Sequence, residues 1–554
     1  MSPLLNSSIL FLTLLSLTDC SGGRHLMPPA NSIHGDTLAI DQPLERESSL
    51  LKEAFNKTFD HGLRKALDAP RLVRHATGQP YEALNVDNFD EVPNSTWFTN
   101  RNGTTAMSLA EIQRGPNLTY GPDTTSVWTV VSAKMAGVTP GFTIEDARGQ
   151  RYIVKFDPPD FSELPSGAEV VSARLMYAAG YNTPENYIAY LDPKRLRIGS
   201  EAMVTVETYD KRPAKEQRPM DRSDLAAILA TGNPKGLPLI RVAASKFLDG
   251  IPIGPWPYAG VRKDDPNDVY PHPHRRELRG LYVVAAWLNH ADMKEENTLD
   301  VYETEGKYVR HYLIDFGASL GSNSRSPSVP RRGQANGYDF KQSMVRLVTL
   351  GLYSYPWERA SQEVLFPSVG YLNNDLFNPQ SWKPIYPALA FENITKRDAF
   401  WGAKIVTSFS DAQIEAAVAA GAYSNPDAAE SLVAFLKERR DMTGRHWFSK
   451  VNTLDQFRLE NGIELSAKDL AVARGYSDAS RTSYDLSVQA PGGEMLRRWS
   501  SADPSVRLDG EWEAHGRVIV SMRPRRQDSS GQPVLIYLSR TKQAWHVDGI
   551  RRTD

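Results

Sequence analysis

The stretch NHADMKEENTLD, residues 289–300, follows an apolar run, LYVVAAWL, and mixes acids with a histidine, a lysine and an asparagine. Taken alone, such a stretch is a solvated helix end, a metal loop or a catalytic loop, and its spacing does not choose. The choice has to come from what flanks it.

Upstream, the chain breaks into three strand-like segments, 128–134, 141–145 and 151–156, separated by glycines and prolines. The third reads YIVKF and carries Lys155. SGAEVVSARLMYAAGY (166–181) follows with apolar residues at helical spacing, Glu169 near its start and Gly180 in a C-cap position. NYIAYLD (186–192) and EAMVTVETYD (201–210) read as strands, and LPLIRVAASKFLDG (237–250) as a strand ending in a turn. RRELRGLYVVAAWLNH (275–290) predicts a largely buried helix that delivers the chain to the opening stretch. KYVRHYLIDFG (307–317) is a strand running into a glycine turn with Asp315 at its end, and DFKQSMVRLVTLGLYSY (339–355) predicts a further helix.

Phosphoryl transfer asks for this supply of side chains. A strand lysine neutralises nucleotide phosphates, and a glutamate on a neighbouring helix holds that lysine. One aspartate accepts the proton of the attacking hydroxyl, while an asparagine and a second aspartate offer oxygens to a hard divalent cation. Lys155, Glu169, Asp292, Asn297 and Asp315 provide these types in that order. Each has an ordinary reading alone: Lys155 as a strand lysine, Glu169 as a surface acid favoured by a helix dipole, Asp315 as a turn-former.

HADMKEEN resembles the protein-kinase catalytic loop, and IDFG (314–317) resembles the metal-binding segment that follows it. The likeness spans residues 128–400. It implies Asp292 as catalytic base, Lys294 steadying the transferring phosphoryl group, and Asn297 with Asp315 holding Mg2+ or Mn2+. It further implies Lys155 and Glu169 as an ion pair at the ATP phosphates, with Phe247 and Leu248 near the adenine. Ala291 stands where many kinases carry an arginine that receives a regulatory phosphate, and the hairpin KMAGVTPGF lacks the usual glycine pattern, leaving Gly137 and Gly141 as its candidates. A long interval also separates the helix of Glu169 from the RVAASKFLDG strand. These departures resemble the atypical branches: HipA-like bacterial kinases, secreted Fam20-like kinases and lipid kinases.

The expected fold is therefore α+β, a two-lobed protein-kinase-like domain with a small lobe over about 128–250 and a large lobe over about 251–400. Residues 401–450 read as a helical extension, with Ser410 as an N-cap. Residues 451–554 read as a small C-terminal unit with strands at GRVIVSMRPRR, PVLIYLSR and AWHVDGIRR, its RPRR run (523–526) a solvated basic edge. At the other end, the apolar run 9–17 followed by LTDC resembles a lipoprotein signal (1–20) that would leave Cys20 lipidated. Residues 21–127 then form a tether and N-terminal extension, with a helix at 51–68 and packing anchors at Trp97 and Phe98.

Composition narrows the partners. The 554 residues carry a net charge of −2, which implies no general attraction to nucleic acid or to anionic membranes. Cys20 is the sole cysteine, so neither an internal disulfide nor a cysteine-cluster zinc site can form. The expected activity is transfer of the γ-phosphoryl of ATP to a hydroxyl on a protein, lipid or small molecule, by an exported envelope lipoprotein. Two alternatives stay open at this level: an inactive kinase-like scaffold, and a nucleotidyltransferase on the same fold. Acceptor and oligomeric state are not legible.

Overall fold

A computed structural model describes residues 27–29, 33–46, 80–134, 141–208, 214–233, 235–526, 531–541 and 544–552. Gly137, Cys20 and the 51–68 segment lie outside the described residues.

Strands β1 (Trp128–Lys134), β2 (Gly141–Glu145) and β3 (Arg151–Phe156) form an antiparallel meander. Alternation decides which way each side chain faces. Tyr152, Val154 and Phe156 of β3 enter a core with Trp128, Val130, Phe142 and Ile144. Lys155, one step out of phase, is left on the opposite face. Helix α1 (Leu109–Arg114) precedes this sheet and is capped by Ser108. Helix α2 (Leu164–Ala179) follows it, opens with Pro165 and ends at Gly180, whose φ of 121° suits only glycine.

Strands β4 (Asn186–Leu191), β5 (Leu196–Thr208), β6 (Ala214–Pro219) and β7 (Ile240–Lys246) complete a seven-stranded sheet in the order β4-β7-β3-β2-β1-β5-β6. The long interval before β7 is thus filled by β4, by β5 and β6 added beyond β1, and by helix α3 (Arg222–Gly232). Neither β6 nor α3 was expected from the sequence. The capping box of Asp221 and Asp224 was the available signal for α3.

Residues 247–250 carry the chain out of this sheet into β8 (Ile251–Pro252), which pairs with β9 (Thr298–Glu303), itself paired with β10 (Tyr308–Leu313). Helix α4 (Arg276–Trp287) is buried along its whole length and ends just before Asn289. A second core gathers α4 with helices α6 (Lys396–Ser408), α7 (Asp411–Ala419) and α8 (Pro426–Phe448), and includes Trp97 and Phe98. Ser410 caps α7 as expected. Two cores joined through 247–250 make a two-lobed α+β fold.

Three expectations change. The 339–355 helix contracts to α5 (Phe340–Val348), stopped by Leu350 and Gly351 at positive φ. Residues 33–46, read as tether, lie along the β9–β10 side: Ile40 N–H donates to Lys307 O at 2.8 Å and Arg46 N–H to Ile253 O at 3.0 Å. The C-terminal unit is larger than three strands. Strands β11 (Leu454–Glu460), β12 (Glu464–Asp469) and β15 (Ser505–Arg507) form one sheet. Strands β13 (Ser483–Gln489), β14 (Met495–Ser501), β16 (Arg517–Arg525), β17 (Val534–Arg540) and β18 (Trp545–Arg552) form another, around a third core. Within the RPRR run Arg523 and Arg525 are exposed, whereas Arg526 is half-buried and donates to Asp469 at 2.6 Å and to Thr453 at 2.8 Å.

The β11–β12 turn uses Asn461 and Gly462 at φ of 49° and 71°, a hairpin signal present in the sequence as NG. A Cβ on Gly462 would also meet the Ala544 Cβ at 2.9 Å. Gly462→Ala is expected to lower stability by about 1 kcal/mol, read as a fall in the urea midpoint of the full chain.

Candidate active site

The site is assembled from four places that β3, α2, the 289–297 loop and the end of β10 bring together. Lys155 Nζ lies 3.3 Å from Glu169 Oε2 and 2.8 Å from Asp315 Oδ1. Glu169 sits in the second turn of α2 with a side chain only 3% exposed, so it is no surface acid at a helix start. The Phe316 N–H also donates to it, and Ser172, one turn on, meets Ser319 with their hydroxyls 2.7 Å apart. Helix α2 is therefore fastened directly to the segment that carries Asp315. Ser172 and Ser319 were not singled out from the sequence; Ser172 lying one helical turn from Glu169 was the only clue.

Asp157 fixes the start of α2. It accepts from Glu163 N–H at 2.8 Å, Ser166 N–H at 2.9 Å and the Ser166 hydroxyl at 2.7 Å. It too went unnoticed, because its partners lie six and nine residues on, across the turn from β3 into α2.

The electrostatics of the triad follow from burial and charge. Burial alone would lower the Lys155 pKa, but Asp315 and Glu169 outweigh it and hold the ammonium above its ordinary value. Lys155 in turn keeps the Asp315 carboxyl below the usual range. Burial pushes Glu169 up, and Lys155 offsets only part of that.

The loop forms a second cluster. Asn297 Nδ2 donates to Asp292 O at 2.7 Å and to Asp292 Oδ2 at 3.2 Å. Lys294 Nζ approaches the same Oδ2 at 3.2 Å. Ile314 N–H donates to Asn297 O at 3.0 Å, so the loop is tied to the Asp315 strand end. Asp315 itself adopts φ of 62°, a left-handed conformation that turns the chain sharply after β10. His290 is buried, its Nδ1 3.4 Å from Ala318 O, and burial pushes its pKa down; it is a structural histidine beside the loop.

The remaining candidates fall around these clusters. Gly141 opens β2 directly opposite Lys155, and a Cβ there would sit 2.4 Å from Val154 O, so β2 approaches β3 at a distance only glycine allows. Phe247 and Leu248 lie in the 247–250 crossing, with Phe247 N–H donating to Arg151 O at 2.9 Å and its ring 40% exposed. Ile153, on the same face of β3 as Lys155, is 44% exposed, an apolar surface the sequence did not flag.

A divalent cation fits the oxygens present. Because Asn297 turns its amide nitrogen to Asp292, its Oδ1 is the atom left for a ligand. Asp315 binds Lys155 through Oδ1 and keeps Oδ2. Among the described residues no group of three or more His, Cys, Asp or Glu could hold a metal ion by itself. Two protein oxygens completed by phosphate oxygens and water is the way Mg2+ is usually held. His272, with Asp268 at 2.8 Å, belongs instead to the packing around Trp97.

No protein-family description matches this chain, and no curated protein matches it. Among solved structures, the Helicobacter pylori proinflammatory kinase CtkA is similar at 12% identity, covering 57% of this chain and 94% of its own, with a TM-score of 0.28. The Golgi casein kinase is similar at 11% identity, with 76% and 96% covered and a TM-score of 0.28. Its form with Mn/ADP bound gives 11%, 73%, 95% and 0.26.

Proposed function

We propose that the protein is an ATP-dependent phosphotransferase that moves the γ-phosphoryl group to an acceptor hydroxyl. The observation that carries this reading is Lys155 held between Glu169 and Asp315, beside the loop cluster of Asp292, Lys294 and Asn297. Lys155 would meet the nucleotide phosphates, with Gly141 allowing β2 to lie close above and Ile153, Phe247 and Leu248 offering apolar surface to the base. Asp292 accepts the acceptor's proton as its oxygen bonds to phosphorus and the bond to the ADP oxygen breaks. Its Oδ2 is already engaged by Lys294 and Asn297, which fixes the carboxylate for that task. Lys294 lies where it can neutralise charge on the moving phosphoryl group. Asn297 Oδ1 and Asp315 would hold Mg2+ or Mn2+, which supplies neutralisation of phosphate charge when bound.

Incubation with ATP labelled at the γ or the α position tests the reading. γ label should transfer with Mg2+ or Mn2+ and vanish in Asp292→Ala and Asp315→Ala. Transfer of the α label would assign nucleotidyl transfer instead. Absence of labelling together with absence of a metal-dependent thermal shift by ATP would favour a scaffold.

We further propose export and lipidation at Cys20. Palmitate labelling should be lost in Cys20→Ser, and a wholly cytosolic native protein would overturn this placement.

A further inference from the structure

Behind the catalytic loop lies a small cavity with about 20 Å³ for the centre of a water-sized ligand. Its lining includes Asn289 of the loop, Arg332, Tyr371 and Arg439. Three of these carry a buried donor without a hydrogen-bond acceptor from the protein: Arg332 Nη1, the Tyr371 hydroxyl and Arg439 Nε. Arg439 is 3% exposed. It donates from Nη2 to Ala286 O at 2.7 Å and packs over the rings of Phe377 and Phe435, at 3.7 and 5.1 Å from their centroids. Among the described residues, no Asp or Glu lines this cavity and no ion pair reaches either arginine.

A guanidinium has donors only, and burying its charge without a counter-charge is costly. Burial lowers the Arg439 pKa to about 9, with no acid acting against it. Water could accept from two of the three donors but would leave the Arg439 charge uncompensated. An anion does both tasks. The space decides its size: a single water-sized ligand needs roughly 10–15 Å³ in this measure, so a phosphate or carboxylate does not fit.

We propose that this cavity binds one halide ion, chloride under physiological conditions, held by Arg332, Tyr371 and Arg439. Asn289, whose φ of 48° begins the loop, forms part of its wall. Asp292 exerts an electrostatic pull on Arg332. The proposal does not depend on the phosphotransferase reading.

The test uses the full chain in sodium chloride, bromide or gluconate at matched ionic strength. The Tm should rise saturably in chloride and bromide and not in gluconate. Tyr371→Phe should raise the midpoint halide concentration by about tenfold, the loss of one hydrogen bond. Arg439→Met should remove the saturable rise. Should Arg439→Met fail to fold, Tyr371→Phe and an anomalous bromide peak between Arg332, Tyr371 and Arg439 in crystals decide the matter. Equal Tm curves in all three salts, or ordered water at that position in bromide, would overturn the proposal.

Discussion

Lys155→Met is expected to slow phosphoryl transfer by roughly 10²- to 10³-fold and to abolish the thermal shift by ATP, while the chain remains folded. The ammonium bridges Glu169 at 3.3 Å and Asp315 at 2.8 Å, so its loss removes the proposed phosphate contact together with one of the links between α2 and the end of β10, while Phe316 N–H to Glu169 and Ser172 to Ser319 remain. The stability cost should be about 1–2 kcal/mol. That is less than the ~3–5 kcal/mol for one partner of a fully buried pair, because the Lys155 side chain is 29% exposed and solvent screens it.

The pH dependence distinguishes this account from simple loss of packing. Glu169 is held above its ordinary value by burial, with Lys155 offsetting part of the rise. Without Lys155 it rises further, so the folded state keeps a proton that the unfolded state releases. Stability of the variant should then fall as pH increases from ~4.3 to the raised folded value, more steeply than in the parent. Asp315 works in the opposite sense. Its pKa is lowered by Lys155, so its contribution is present above the ordinary aspartate value and lost as pH falls through the lowered one. Lys155→Met should erase that acid-side contribution. Urea midpoints measured across pH should show both changes, and Lys155→Met/Glu169→Gln should remove the alkaline-side fall. A variant curve parallel to the parent's would refute the coupling.

How far the sequence reached depends on what kind of signal each feature left. The β1–β3 meander was legible because alternation and glycine punctuation are local. Lys155, Glu169, Asp292, Asn297 and Asp315 were legible as a set because phosphoryl chemistry asks for those side-chain types in order. Their mutual distances were not, since β3, α2 and β10 meet only in the folded chain. Burial was the harder quantity. Taken alone, Glu169 reads as a solvated group, and so does Arg526, because nothing local marks a partner as remote as Phe316 or Asp469. Helix α5 shows the converse: its apolar periodicity predicts a packed face, yet Phe340, Leu347 and Val348 are exposed. Periodicity records amphipathicity, not the presence of something to cover it. The β11–β12 hairpin was a different omission, since its Asn461-Gly462 turn was written in the sequence.

Asp398→Ala is expected to be the most destabilising single change near the site, by about 3–5 kcal/mol. Asp398 is fully buried and bridges two arginines of α4: Arg276 at 3.0 Å and Arg279 at 2.9 Å, themselves buried. It also accepts from Thr395 N–H at 3.0 Å and hydroxyl at 2.9 Å, which closes the first turn of α6. Burial would raise its pKa, but the two guanidinium groups outweigh this and hold it low, so its contribution is lost as pH falls through that lowered value. The two arginines do not suffer equally. Arg276 keeps Asp90 at 2.6 Å, whereas Arg279 is left with only neutral partners: Pro273 O, Tyr81 O and His274 Nδ1. Most of the loss should therefore come from the charge stranded on Arg279. Arg279→Met combined with Asp398→Met should recover a substantial part of it, because removing both charges removes the desolvation penalty. Urea unfolding of the four species gives the coupling directly. Since α4 delivers the chain to Asn289, activity should fall with the folded fraction in Asp398→Ala and return with it at lower temperature. A fall in turnover with unchanged stability would instead place Asp398 in the chemistry and contradict its assignment as a purely structural support.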